Sequence, residues 1–310
     1  MANPLDSSQF VRLLDKALTE VMVNEYEDLS PMIDTIYARK SGEKAWEEYF
    51  GVGAVPDIPQ FTGQLEYLPQ YPTFWTKIEH AEYAAGQQFE RKLIDDEQYG
   101  VMMDRAAGLM QAAMRTQEKL AARPFTYAFS SAFDFMTSEE GVALCSDSHA
   151  SKSGASTTTG FDNAGTTAIS NTAIQAARLA MRRFKNDIGE RIGMSDNFAL
   201  IVPDALADTA REIVGTDRGF AAANTSANKI NVDYGRYKVI PWMRLDDSDT
   251  NNWFLVNLDI MKRNLLWIDR IKPEPKNTVD YETYKLKNAV YFRCANGFTD
   301  WRWIYGSNVT

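Results

Sequence analysis

Apolar residues return with a helical period in three parts of this chain and gather in short strand-like runs elsewhere. Over residues 8–29, Phe10, Leu13, Leu14, Ala17, Leu18 and Val21 recur at intervals of three and four. This predicts an amphipathic helix whose first turn Ser7 or Ser8 can cap, with Pro31 shortly after its end. From Asp96 to Arg123, Met102, Ala106, Leu109, Ala113 and Leu120 form one stripe with Met103, Met110 and Met114 beside it. The element so predicted is stopped by Pro124 and is roughly 40 Å long at about 1.5 Å per residue, long for a helix that covers an ordinary globule. The third helix, NTAIQAARLAMRRFKND at 171–187, is capped by Ser170. It turns Ile174, Ala177, Met181 and Phe184 inward and Arg178, Arg182 and Lys185 outward.

Between the first two helices the pattern breaks. Pro56, Pro59, Pro69 and Pro72 exclude a long helix from Val55 to Phe89, while Phe61, Tyr67, Tyr71, Phe74, Trp75, Tyr83 and Phe89 make the stretch dense in aromatics. QLEYL and FWTKIEHAEY are expected as strands flanking a turn at PQYPT, a long hairpin-like excursion. Loops of this length are uncommon unless they have a task. PFTYAFSSAFDF is strand-like, and residues 146–166 have the small polar composition of a loop. NFALIVP is a short buried strand, and Pro203 opens the helix DALADTAREIV, which Gly215 ends. YKVIPWMRL, WFLVNLDIM, NLLWIDRI and KNAVYFRCANGFTDWRWIYG are mostly β-like. No internal repeat is present, and the fold class is α+β with helices inserted among strands.

Composition narrows the function. With 310 residues, 45% apolar and 24% charged, the chain has the make-up of a folded globule large enough for two subdomains. A net charge of −9 argues against gripping nucleic acid or an anionic membrane, since both need a positive field. It is compatible with lying next to DNA. Two cysteines far apart in sequence form no zinc-spaced cluster and no disulfide framework, which suits a reducing compartment. No secretory signal and no run of 18 apolar residues is read.

Candidate chemistry centres on CSDSHASKSGASTTTG, where Cys145, Asp147, His149 and Lys152 lie within eight positions. A cysteine nucleophile needs a base oriented by a third group. Here all of them sit in a segment of small residues with little to lock their rotamers, the reverse of a preorganised site. His80 has no evident partner. GVGAVP at 51–56 puts Pro56 where a phosphate-binding loop needs its third glycine. Asp247, Asp249 and Asn251 alternate as in a calcium loop, but Asn252 and Leu258 replace the required Gly and Glu. The Arg178, Arg182 and Lys185 face reads as a solvated helix surface, or as a charged contact to phosphates or to a neighbouring acidic subunit. No catalytic residue, cofactor or metal site is assigned.

The remaining feature is one of shape. A single globule has difficulty burying the aromatics of an extended hairpin, and exposed apolar surface of that size marks a partner surface. Each large side chain buried is worth roughly 1.5–3 kcal/mol. Phe61, Tyr67, Tyr71, Phe74, Trp75 and Ile78 are therefore expected to contact another copy of the chain.

The order of elements resembles the major capsid proteins of tailed bacteriophages, the Hong Kong 97-like fold. The matching stretches are WEEYFGVGAVPDIPQFTGQLEY, FERKLIDDEQYG, NTAIQAARLAMRRFKNDIGERI, NFALIVPDALADTAREIVG, WFLVNLD and AVYFRCANGFTDWRWIYG, from about residue 40 onward. The resemblance implies an N-terminal arm (1–55), an extended loop over the adjacent subunit (56–90), a peripheral domain built on the long spine helix (91–135 and 263–310) and an axial domain (136–262). It implies hexamers and pentamers of an icosahedral virion shell enclosing double-stranded DNA, assembled in the host bacterial cytoplasm with a portal and a possible decoration protein. Only about 40 residues precede the matching part, so a separate scaffolding protein is expected. Some relatives join subunits through a Lys and an Asn. Lys77 lies in the loop but no Asn matches by motif, so no crosslink is assigned. The alternatives are an encapsulin-like compartment shell holding cargo enzymes and, of a different class, a cytosolic hydrolase using Cys145 and His149.

Overall fold

The computed structural model describes residues 16–25, 32–90, 92–93, 99–215, 231–280, 282–283 and 285–310. Parts of the expected 8–29 helix and of the segments around 94–98 and 216–230 lie outside them. Within them, residues 16–25 are helical (α1), with Leu18 and Met22 fully buried as the spacing requires.

Three sheets organise the chain. The first contains β1 (Ala38–Ser41), β10 (Leu265–Val279), β11 (Leu286–Phe298) and β4 (Ala81–Phe89) in the order β1-β10-β11-β4. The long β10–β11 pair runs antiparallel from Leu265↔Phe298 to Val279↔Leu286. Its first residues are buried on both faces, and its far half alternates as a half-covered ribbon should. The second sheet has the order β6-β12-β9-β7-β8, with β6 (Ala164–Gly165), β7 (Phe198–Val202), β8 (Tyr237–Pro241), β9 (Trp253–Asn257) and β12 (Ile304–Ser307). FALIV and the WFLV of WFLVN are unbroken apolar runs because β7 and β9 are central strands buried on both faces. The third sheet is small, β2-β3-β5, with β2 (Trp46–Val52), β3 (Pro72–Glu79) and β5 (Thr137–Ser138).

Helix α2 (Met32–Ile36) leads to the long α3 (Tyr99–Thr126), which buries Met102, Ala106, Leu109, Met110, Ala113 and Met114 as the stripe foretells. Pro124 does not stop α3. A proline inside a helix removes the bond to the carbonyl four residues back and crowds it. Here that carbonyl, on Leu120, accepts from the Asn296 side chain of β11 at 2.9 Å, and the next one, on Ala121, accepts from the Tyr37 hydroxyl at 2.6 Å. The helix therefore continues to Thr126 and takes the start of PFTYAFSSAFDF with it; that segment is not a strand. Its aromatics serve the core instead. Phe125 meets the edges of Trp242, Phe254 and Trp303 at 5.5–5.9 Å, joining the end of α3 to the second sheet.

Helix α4 (Asn171–Met181) begins at Ser170, whose hydroxyl accepts from the Ala173 N–H at 3.2 Å, and ends sooner than the pattern suggests. Helix α5 (Ala207–Gly215) is the crossover between the parallel strands β7 and β8. Short helices α6 (Met243–Asp246) and α7 (Leu258–Asn264) complete the chain.

Candidate assembly surface

The excursion read from the sequence exists, but its strands differ from the expected pair. WEEYFGV (β2), inside the segment expected to be the arm, pairs antiparallel with β3 from Trp46↔Glu79 to Val52↔Pro72. QLEYL is not a strand, since every residue from 64 to 67 is exposed and no neighbouring strand offers it a ladder. FWTKIEHAEY is two strands divided at His80, β3 in the small sheet and β4 in the first. The hairpin thus reaches its tip over residues 53–71.

That tip exposes apolar side chains in series: Val55, Ile58, Phe61, Leu65 and Tyr67 are 65–93% exposed, and Phe50 and Val52 continue the surface down the stem. The expected contact residues divide. Phe61 and Tyr67 stand free, Tyr71 is borderline at 37%, and Phe74 and Trp75 are half-buried within the chain. Ile78 is fully buried and cannot meet a neighbour, because its side chain fills the space beside Gly297 of β11.

The stem is held firmly. Trp75 exchanges contacts with Glu139, its N–H donating to the carboxylate and its carbonyl accepting the Glu139 N–H, both at 3.0 Å. Lys152 pairs with the same carboxylate at 2.5 Å and lies 5.2 Å from the Phe74 ring centre, and these bonds hold the Glu139 carboxyl below its ordinary range. Where the tip leaves the stem, the Gly53 N–H donates to the Tyr71 carbonyl and the Ala54 N–H to Asp187 Oδ1, each at 2.9 Å. A Cβ on Gly53 would run into the Asp187 carboxylate and the Tyr71 carbonyl, so glycine is required there. Asp187 in turn has its carbonyl capped by the hydroxyls of Ser151 and Ser153. Nothing in the sequence marks Asp187, because its partner lies 133 positions away.

The Cys145–His149 segment is not the loosely packed loop its composition suggests. Cys145 and His149 are both 3% exposed. The His149 ring stacks on Trp301 at 4.1 Å, with Nδ1 bonded to Glu140 at 3.0 Å and Nε2 to Asn163 Oδ1 at 3.2 Å. Asn163 fixes its own orientation by donating to the Leu144 and Ile304 carbonyls. With both ring nitrogens committed elsewhere, His149 has none left to activate Cys145, and burial pushes that thiol well above its usual range. Asp147 is exposed. His80 sits between β3 and β4 with both ring nitrogens buried and unpartnered.

The basic face of α4 is largely occupied within the chain. Arg182 pairs with Asp196, as does Arg236, and Lys185 donates to Thr159 at 3.2 Å. Arg178 is half-buried, its Nε without a partner. In the calcium-like turn, Asp247 pairs with Arg244 and Asp249 accepts from the Asn251 N–H. Among the described residues no cluster of groups suited to a metal is present, and no helix is long and apolar enough to cross a membrane.

An α+β body on a long spine helix, carrying an extended hairpin with an apolar tip, is the Hong Kong 97-like capsid fold, and solved structures bear this out. The capsid of a native GTA particle is 13% identical with TM-score 0.53, covering 90% of this chain and 89% of that one. The mature capsid of bacteriophage PhiM1 is 11% identical with TM-score 0.55, covering 91% and 88%. Microbacterium phage Oxtober96 gives 9% and 0.52, covering 91% and 92%. No curated protein sequence matches the chain. The model of the phage capsid protein family matches residues 75–307, well over half of the sequence, and the chain belongs to that family. Its members are structural proteins of the virion shell, not enzymes.

Proposed function

We propose that this chain builds an icosahedral shell of hexamers and pentamers around double-stranded DNA. Residues 56–90 act as the loop that lies over an adjacent copy, 91–135 with 263–310 as the peripheral domain, 136–262 as the axial domain, and the residues before 56 as the arm. The observation that carries this reading is the tip at 53–71. Five of its side chains, Val55, Ile58, Phe61, Leu65 and Tyr67, are at least 65% exposed on a stem that is rigidly bonded. Burying such side chains is worth roughly 1.5–3 kcal/mol each, so a neighbour that covers them gains a term comparable to a domain's stability. The net charge of −9 suits a container that must not adhere to packed DNA. The partners proposed for such a shell are a portal and a scaffolding protein, with a decoration protein as an optional addition.

Negative-stain microscopy of the purified protein tests the proposal. Closed particles are expected from the native chain. A variant with Ile58, Phe61 and Tyr67 all replaced by Ser should keep its circular dichroism and lose particles. Particles at native yield from that variant would remove the loop from the assembly, and a native chain that stays monomeric with its scaffolding protein present would refute the shell.

A further inference from the structure

The hairpin stem joins the first sheet at two crossings. One is the stretch 42–45 between β1 and β2, and the other is the single residue His80 between β3 and β4. There the last rung of the small sheet, Trp46↔Glu79, is followed at once by Ala81↔Cys294 of the first. The His80 ring ties the crossings together. A Cβ added to Gly42 would stand 3.0 Å from His80 Nε2 and 2.9 Å from Ile268 Cγ2, so the ring edge lies against Gly42 where a glycine leaves it room. Both ring nitrogens are buried and neither has a partner. Gly42 cannot serve, since its N–H donates to the Asp269 carbonyl and its carbonyl accepts from Arg270, each at 3.0 Å.

That seat suits a neutral imidazole and resists a charged one. Arg270 on β10 and Arg293 on β11 oppose a further positive charge, although Glu82 partly offsets Arg293, and Glu47 on β2 favours one. Burial, the largest influence, outweighs Glu47 and holds the His80 pKa below its ordinary value. A cleft of about 370 Å³ opens beside the ring, and its ionisable lining is Glu79, Tyr83, Arg123, Asp134 and Cys294. Asp134 pairs with Arg123, and exposed Glu79 with Lys77.

We propose that His80 is a pH-sensitive latch on the hairpin: protonation drives its ring from the seat against Gly42 into the neighbouring cleft, and the stem loosens on the first sheet. Nothing in this requires a second copy, because both crossings lie within one chain. A buried imidazolium with no acceptor is costly, whereas in the cleft it meets water and the Glu79 and Asp134 carboxylates. The loosened state accepts a proton that the latched state refuses, so loosening grows as pH falls below about 6.5 and is absent above it. At about pH 5.5 an exposed imidazole is roughly ten parts charged to one neutral, which bounds the gain at about tenfold.

Hydrogen exchange of the full chain at about pH 7.5 and about pH 5.5, corrected for intrinsic rates and read by mass spectrometry, follows the two sheets separately. Amides of Trp46–Val52 and Pro72–Glu79 should lose protection several-fold at the lower pH, up to about tenfold, while those of Leu286–Phe298 change less than about twofold. His80→Gln, neutral at both pH values, should abolish the difference. No loss in the native chain, loss in both sheets alike, or an equal loss in His80→Gln overturns the latch. Should that variant fail to fold, the native chain still decides, because it has only two histidines and their ring signals separate in a carbon-13-labelled sample. A His80 titration midpoint below about 6.5 that coincides with the loss of protection is expected, and a midpoint at or above it refutes the proposal.

Discussion

Replacing Asn296 by Ala should destabilise the subunit chiefly through one carbonyl, and a second substitution isolates that carbonyl. Asn296 is 4% exposed and donates to the Leu120 carbonyl at 2.9 Å, the group that Pro124 deprives of its helical donor. Its approach to the Tyr37 hydroxyl, at 3.4 Å, is too long to contribute much. Stranding a buried carbonyl costs about 1–3 kcal/mol, so Asn296→Ala is expected to cost about 2 kcal/mol. Pro124→Ala returns an N–H in helical position to bond Leu120. In that background the cost of Asn296→Ala should fall by about 1 kcal/mol or more. Urea unfolding of the unassembled subunit, followed by tryptophan fluorescence, measures all four corners of the cycle. If the two effects add to within about 0.5 kcal/mol, the carbonyl is not what couples them and the account of how α3 survives its proline is wrong.

Three further outcomes are expected. Gly53→Ala should destabilise the hairpin root by about 1–3 kcal/mol through overpacking against Asp187, whereas Gly193→Ala, which meets open space, should not; thermal melts of both variants compare them. Burial lowers the His80 pKa, so the native state resists a proton that the unfolded chain accepts. The stability of the unassembled subunit should fall as pH drops below about 6.5, and His80→Phe should flatten that acid limb in pH-resolved melts. Burial also pushes the Cys294 thiol up to about 12 and holds Cys145 higher still, so a thiol reagent should label neither in the native subunit and both after denaturation.

Local rules carried well where local physics governs. The α3 stripe, the Ser170 cap and the apolar runs of β7 and β9 could be read directly, because burial on one face, or on both, writes its own period. Misreadings arose where a distant group decided the outcome. Pro124 looks like an ending until Asn296, far along the chain, supplies what the proline withholds. QLEYL has strand composition and no neighbour to pair with, while WEEYFGV finds one in β3. The serine-rich segment after Cys145 looks slack because its anchors, Asn163 and Trp301, lie outside it. Of the proposed assembly surface, Phe61 and Tyr67 were legible as unsheltered aromatics. Ile78 was not distinguishable from them, since its burial depends on a glycine in β11. Asp187 gave no signal at all.

The division of FWTKIEHAEY at a single residue has a mechanical corollary. His80 alone separates the strand that forms the hairpin stem from the strand that enters the first sheet, and the stem is pinned at Trp75 by Glu139 and, just past β2, at Ala54 by Asp187. Such a joint has no slack. A tilt of the first sheet relative to those anchors would be passed to the tip, and its exposed side chains would move with it.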